Sequence, residues 1–366
     1  MLATLFLATV QIVSAQAARP VAEDAVLAGI AETLRAAAGS PGAAVMLWEA
    51  DTLRVGTAGV RALGEEAAIA PGDLWHIGSN TKSMTATLVA RLAERGIVGW
   101  DDTIGQHLGG AIGDIHPDYR DLTFRHLLSH RAGLPANAGM VALMGFALQG
   151  DGAPRPDQRL AYAETVLMHA AQVEPESGFG YSNAGYVVAG AMLEQATGED
   201  WETLIRREVF DPLGMETAGF GAPGRAGRID QPRGHRPGLI GGLNAVAPGP
   251  RADNPPVMGP AGTVHASMAD LARYLDMHLA GARGEATDYL SAESWAILHT
   301  PPFGGDYAMG WAVRDGLMMH GGSNTMWLVI MQIDPAGNRA MVAGVNDGRI
   351  ESVRPGVQAA IEDLGD

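Results

Sequence analysis

The sequence predicts an α+β protein: an antiparallel sheet formed by both chain ends, flanked by helices, with a mostly helical inserted subdomain between them. Three observations predict it. Strand-like runs cluster near residues 42–77 and again near 305–346. Short helix-periodic runs dominate from about 100 to 215. The chain has 366 residues, 47% of them hydrophobic and only 18% charged, which is ample for a sizeable core.

The elements follow in order. Residues 21–38 are alanine-rich and read as a helix. "GAAVMLWEADTLRVGTAGV" reads as two strands around a turn at Ala50-Asp51. "LWHI" is a further short strand, and Ser79 opens a helix that Gly96 ends. The insertion holds "TFRHLLSH", "RLAYAETVLMHAAQ", "NAGYVVAGAMLEQATG" and "DWETLIRREVFDPLG", and the last two end in glycine as helix C-termini often do. Residues 221–258 are rich in Gly, Pro and Arg and lack periodicity, so they read as a long surface loop that shapes a site. "SMADLARYLDMHLAG" is a helix, with Ser267 as cap and Asp270 at the capping-box position. After "SAESWAILHT" come the strand-like runs "YAMGWAV", "LMMH", "TMWLVIMQID" and "RAMVAGVN", and a last helix over roughly 351–363. A cleft between sheet and insertion is the natural place for a site.

Composition excludes several functions. The formal charge is −16 with no Lys/Arg run, so neither nucleic acid nor anionic lipid is expected as a partner. There is no cysteine, hence no disulfide, thiolate metal site, cysteine nucleophile or lipoprotein anchor. Residues 2–13 are apolar and Ala15-Gln16-Ala17 suits a cleavage site. The expectation is a signal peptide over 1–17, one folded domain over 18–366, and a secreted or periplasmic location. The alternative is an N-terminal helix of the mature chain. No later segment is long and apolar enough to span a membrane.

Three stretches carry chemistry. In "HIGSNTKSMT", Lys82 follows Ser79 by three residues, so on a helix both project from one face. A serine hydroxyl becomes a nucleophile when a base takes its proton. A lysine is that base only when neutral, and burial or positive surroundings lower its pKa. The Ser79 N–H, at a helix start, is free to face an oxyanion. Such a pair also fits a helix cap followed by a surface lysine. In "GYSNAGYVVAG", Tyr181 is a proton shuttle if a nearby cation lowers its pKa, and Asn183 is an amide that can orient Lys82 or a substrate carbonyl. The same residues suit a helix-capping turn. In "LMMHGGSNTMWLVI", His320 ends a strand, Gly321-Gly322 permit close approach by a ligand, and Ser323 offers a second N–H. A plain hairpin turn accounts for that stretch equally well.

Ser-x-x-Lys, Tyr-x-Asn and His-Gly-Gly, in this order and at these separations, together resemble the serine β-lactamase and penicillin-binding-protein superfamily. The class C branch is the most similar, with its D-alanyl-D-alanine carboxypeptidases, D-aminopeptidases and β-lactamase-like carboxylesterases. "LLSHRAGLP", "GPAGTVHASMADLARYL", "YAMGW" and "HGGSN" support the resemblance, which runs from about Gly42 to Asn346. It implies Ser79 as acylated nucleophile, Lys82 as its proton acceptor and Tyr181 as proton relay. It implies Asn183, Asn137, His320, Gly322 and Ser323 as substrate-binding, with the Ser79 and Ser323 N–H groups as oxyanion hole. Many β-lactamases carry Lys-Thr-Gly where this chain has His320-Gly321-Gly322. A histidine is mostly neutral at pH 7, so strong binding of a substrate carboxylate is not expected.

The remaining histidines read as structural. His126 and His130 are four apart, but no glutamate intervenes and no third ligand is well spaced, so packing and local hydrogen bonds are expected rather than zinc. No phosphate loop or dinucleotide fingerprint is present, and no cofactor is expected. Arg349 reads as a surface charge. The expected function is an exported serine acyl hydrolase acting on a small-molecule, peptide or ester substrate, including a D-amino-acid peptide or cell-wall fragment. A carboxylesterase, favoured by the methionines around His320, a weak β-lactamase and a non-catalytic peptide-binding protein are the alternatives. The oligomeric state is left open.

Overall fold

The computed structural model describes residues 21–150, 155–238, 241–285 and 287–365. The expected signal peptide lies outside them. The strands are β1 (Gly42–Glu49), β2 (Thr52–Gly59), β3 (Leu74–His76), β4 (Gly219–Phe220), β5 (Gly234–Pro237), β6 (Leu243–Val246), β7 (Val264–Ser267), β8 (Ala312–Arg314), β9 (Leu317–Gly322), β10 (Leu328–Asp334) and β11 (Arg339–Val345).

Among the described residues, six strands form one sheet in the order β2-β1-β11-β10-β9-β8, every neighbouring pair antiparallel. Both chain ends build it, as expected. The β1–β2 turn places Ala50 and Asp51 at φ +48° and +58°, the left-handed pair that matches the twist of a two-residue hairpin. Alternation then divides β1 between two cores. Ala43, Val45 and Leu47 face the helices Ala25–Ala38 and Ile350–Gly365, meeting Leu27, Leu34, Val353 and Val357. Ala44 and Met46 face the larger core, with Trp75, Met84 and Leu88.

The larger core extends into the helical insertion. Its helices include Phe124–Leu128, Met140–Gln149, Arg155–Leu167, Asn183–Thr197 and Trp201–Ile205, the last running into a π-helical turn, Arg206–Phe210. Helix Asn183–Thr197 is buried continuously from Ala184 to Glu194, so it is the insertion's central post. Arg159 ties it to its neighbours through buried ion pairs with Glu194 and Glu202.

Two expectations are corrected. "YAMGWAV" is a strand only at Ala312–Arg314, because Gly310 at φ +80° packs against the 81–94 helix, where a Cβ would lie 2.6 Å from Ser83 Cα. The 221–258 segment is not a plain surface loop. It contains the β5–β6 hairpin, pinned to the main sheet by His235 N–H on Met326 O (3.1 Å) and Gly348 N–H on His235 O (2.9 Å). A small second sheet, β3-β7-β4, lies beside it.

Candidate active site

Ser79 lies in a short 3-10 turn, Gly78–Asn80, and the α-helix itself begins at Thr81. The turn is wedged between the two sheets. Thr81 Oγ1 donates to Gly78 O (2.7 Å) and accepts from Val264 N–H of β7 (3.2 Å). Asn80 Nδ2 donates to Val329 O of β10 (3.0 Å). Glycine at 78 is demanded twice: φ is +51°, and a Cβ would sit 2.3 Å from Ser323 N.

One turn on, the Lys82 amine returns to the serine. Its Nζ lies 3.0 Å from Ser79 Oγ, 2.6 Å from Asn183 Oδ1 and 2.7 Å from Ala261 O. The side chain is fully buried, and burial pushes its pKa well below the ordinary lysine value. A neutral amine has two hydrogens and one lone pair. The two carbonyl oxygens take the hydrogens, which leaves the lone pair for the Ser79 O–H. Lys82 is the only lysine in the chain.

Tyr181 and Asn183 flank Ser182, which caps helix Asn183–Thr197. Ser182 Oγ accepts from Gly185 N–H (3.0 Å) and donates to Pro135 O (2.6 Å). Because Ser182 is extended, its two neighbours project to the same side. Tyr181 O–H donates to Ser79 Oγ (2.8 Å). Although 39% of Tyr181 is exposed, burial of its phenol end raises the pKa to about 12, against the opposing pull of the Ser79 hydrogen bond. The condition of a nearby cation lowering the Tyr181 pKa is therefore not met, and the phenol keeps its proton. Asn183 Nδ2 donates to Asn137 Oδ1 (2.9 Å), leaving the Asn137 amide hydrogens without a protein acceptor among the described residues.

The third stretch closes the site from β9. A Cβ on Gly322 would lie 1.9 Å from Ile77 O and 2.7 Å from Ser79 N. Protein backbone, rather than a ligand, makes the close approach expected of the glycine pair. Gly321 is not needed in the same way, since its Cβ would meet nothing nearer than 3.7 Å. The contact sets the Ser79 and Ser323 N–H groups side by side. Asn80 N–H is the first to close the turn, onto Ile77 O (3.1 Å), and Ser323 N–H has no hydrogen bond among the described residues. Two unspent donors therefore lie close together.

His320 departs from its expected role. It is 5% exposed, its Nε2 lies 2.9 Å from Tyr307 O–H, and burial, with Lys82 adding, pushes its pKa down to about 3. It is a neutral, inward-facing ring behind the site, not a free contact for substrate. The neighbouring Met318 and Met326 are buried in the sheet core. Arg349 also lies elsewhere, clamped to Asp347 and to the carbonyls of Ala38 and Gly39.

His130 was read as structural, and it is, but it structures the site. Its ring centroid lies 4.5 Å from that of Tyr181, 4.8 Å from Tyr307 and 5.4 Å from Tyr186. Its Nδ1 accepts from Ser182 N–H (3.1 Å). Burial first, then Lys82 and His320, push its pKa well down, so the ring stays neutral. The positive φ of +59° at a non-glycine is the mark of its strained placement, and only the backbone shows it.

This geometry gathers a serine hydroxyl, a buried amine of lowered pKa and a phenol around one point. The beta-lactamase family model matches residues 27–363. The chain belongs to the beta-lactamase family. Penicillin-binding protein 4 of Amycolatopsis lactamdurans is 29% identical over 289 residues, covering 75% of this chain and 71% of that protein. Penicillin-binding protein 4* of Bacillus subtilis (strain 168) is 29% identical over 163 residues, 43% of this chain and only 33% of its own length. Among solved structures, a D-stereospecific amidohydrolase from Streptomyces sp. superposes with a TM-score of 0.69 at 22% identity, over 90% of this chain and 98% of that one. The beta-lactamase family is one of serine hydrolases, and the fold around Ser79 is its fold.

Proposed function

We propose that this protein is an exported serine acyl hydrolase that works through an acyl-enzyme on Ser79. The observation that carries the reading is the convergence on Ser79 Oγ of Lys82 Nζ at 3.0 Å and Tyr181 O–H at 2.8 Å. Ser79 Oγ attacks the substrate carbonyl carbon while its proton passes to Lys82 Nζ. The carbonyl oxygen, now an anion, is held by the Ser79 and Ser323 N–H groups. As the bond to the leaving group breaks, Tyr181 supplies a proton to it, and the proton held by Lys82 restores the phenol. Water then gives a proton to Lys82 Nζ as it attacks the acyl carbon, and that proton passes to Ser79 Oγ as the acyl bond breaks, which frees Ser79.

The likeness to a penicillin-binding protein supports an acyl substrate of peptide kind. The buried, neutral His320 supports one without a carboxylate to be held at that point. An amide or ester, in a D-amino-acid peptide or a simple carboxylic ester, fits better than an efficiently hydrolysed β-lactam.

The test is the intact mass of the protein after incubation with a penicillin or with an activated ester, for the native chain and Ser79→Ala. An adduct or turnover that needs Ser79 is expected. A binder without catalysis retains its ligand in Ser79→Ala and shows neither adduct nor turnover, and that result overturns the proposal.

A further inference from the structure

Resting on the reading of Ser79 as nucleophile, we infer that the protein carries a subsite for a medium-length aliphatic acyl chain. The subsite is a groove between helix Met140–Gln149 and the C-terminal end of helix Arg155–Leu167.

Helix Met140–Gln149, "MVALMGFALQ", is apolar around its whole circumference, yet Phe146 is its only buried residue. Met140 is 79% exposed, Val141 86% and Leu148 86%. A helix apolar on every side is ordinarily enclosed, and a continuous exposed apolar patch marks a binding surface. Beside this helix lies a groove of about 670 Å³, within the usual range for small-molecule sites. Its lining is mainly apolar and includes Pro135, Val141, Ala142, Val166 and Ala170.

The groove borders the candidate site at Asn137. Asn137 lines it, and Asn137 Oδ1 accepts from Asn183 Nδ2. Asn183 Oδ1 in turn accepts from Lys82 Nζ, which bonds Ser79 Oγ. Three hydrogen bonds in series therefore separate the nucleophile from the edge of the groove. A substrate whose carbonyl lies at Ser79 can run its chain past the Asn137 amide into the apolar channel. The occupant is read as part of the substrate, not a membrane, because the formal charge of −16 repels anionic lipid.

The test is kcat/KM for p-nitrophenyl acetate and p-nitrophenyl octanoate, with the native protein, Val141→Asp and Met140→Asp. Both positions are exposed, so neither variant disturbs the core. Each fully buried methylene is worth about fourfold (about 0.8 kcal/mol), so six added methylenes, half desolvated in an open groove, favour octanoate by about 60-fold. The aspartates are expected to cut that ratio tenfold or more. A ratio near one in the native protein, or a high ratio that neither aspartate lowers, overturns the subsite while leaving Ser79 as nucleophile. Absence of turnover with both esters, together with no ester adduct on Ser79 by intact mass, overturns the subsite and the reading beneath it.

Discussion

Replacing Gly322 with alanine tests how the site is assembled. The new Cβ would lie 1.9 Å from Ile77 O and 2.7 Å from the N atoms of Ser79 and Asn80, all backbone. No side chain can rotate away to make room. To bring the shortest contact to 3.0 Å, β9 and the Ser79 turn must part by about 1 Å. That gap opens between the two proposed oxyanion donors. Losing one such donor costs roughly 2.7–4 kcal/mol in the transition state, or about 10²–10³ in kcat. The overpacking itself costs roughly 1–3 kcal/mol of stability. Gly321→Ala is the control, because its Cβ meets Ile330 Cγ1 at 3.7 Å, an ordinary contact. The assay is kcat on an activated ester together with thermal unfolding of all three proteins. Gly322→Ala is expected to lose at least about a hundredfold in kcat with a folded transition intact, and Gly321→Ala much less. A Gly322→Ala protein within about threefold of native kcat refutes the placement of the Ser79 and Ser323 N–H groups as a pair.

Three further outcomes follow from the same geometry. Tyr181→Phe removes a proton donor at an exposed edge of the site, so kcat should fall about 10²–10⁴-fold with an unchanged melting temperature. Arg159→Met strands the buried carboxyl of Glu194, while Glu202 keeps Arg155, and should destabilise by roughly 3–5 kcal/mol, read by denaturant titration; a loss under about 1 kcal/mol contradicts a buried ion pair at Glu194. Burial lowers the Lys82 pKa in the folded chain, so between that value and 10.5 the unfolded chain holds a proton that the folded chain lacks. Stability from this group must then rise with pH through that window, and Lys82→Met should lack the rise. Equal pH slopes for the two proteins between about pH 7 and about pH 10 count against a neutral lysine.

The legible parts of the fold were those where local pattern and tertiary role coincide. β1 and β2 alternate and meet at a turn, and helix Met268–Ala282 has its Ser267 cap. The capping box was only half right, because the Asp270 carboxylate turns to Thr217 and Arg273 instead. β3 is legible as "LWHI", but β4 and β7 are not, because two to four residues are too few to show alternation. At the site, Ser79 and Lys82 were readable because their spacing alone brings them together. The Ala261 carbonyl was not, since any residue supplies one and only the fold aims it. The place of His130 beside the site is illegible for a related reason. It lies four residues from His126 on paper, yet a left-handed backbone turns it away into a ring of tyrosines.

The closing of the main sheet also bears on when the protein becomes competent during its synthesis. Gly42 N–H reaches Asn346 Oδ1 at 2.8 Å, across 304 residues of chain. β1 and β2 emerge early, but their hairpin is marginal in water alone and its partner β11 is among the last strands made. Much of the helical insertion packs on neighbours close in sequence, as helices Arg155–Leu167 and Asn183–Thr197 do, and can form before the last strands. The Ser79 turn cannot, because β9 and β10 hold it in place. A nascent chain that lacks the last strands therefore leaves the Ser79 turn without its supports. The geometry around Ser79 is completed only with the last strands.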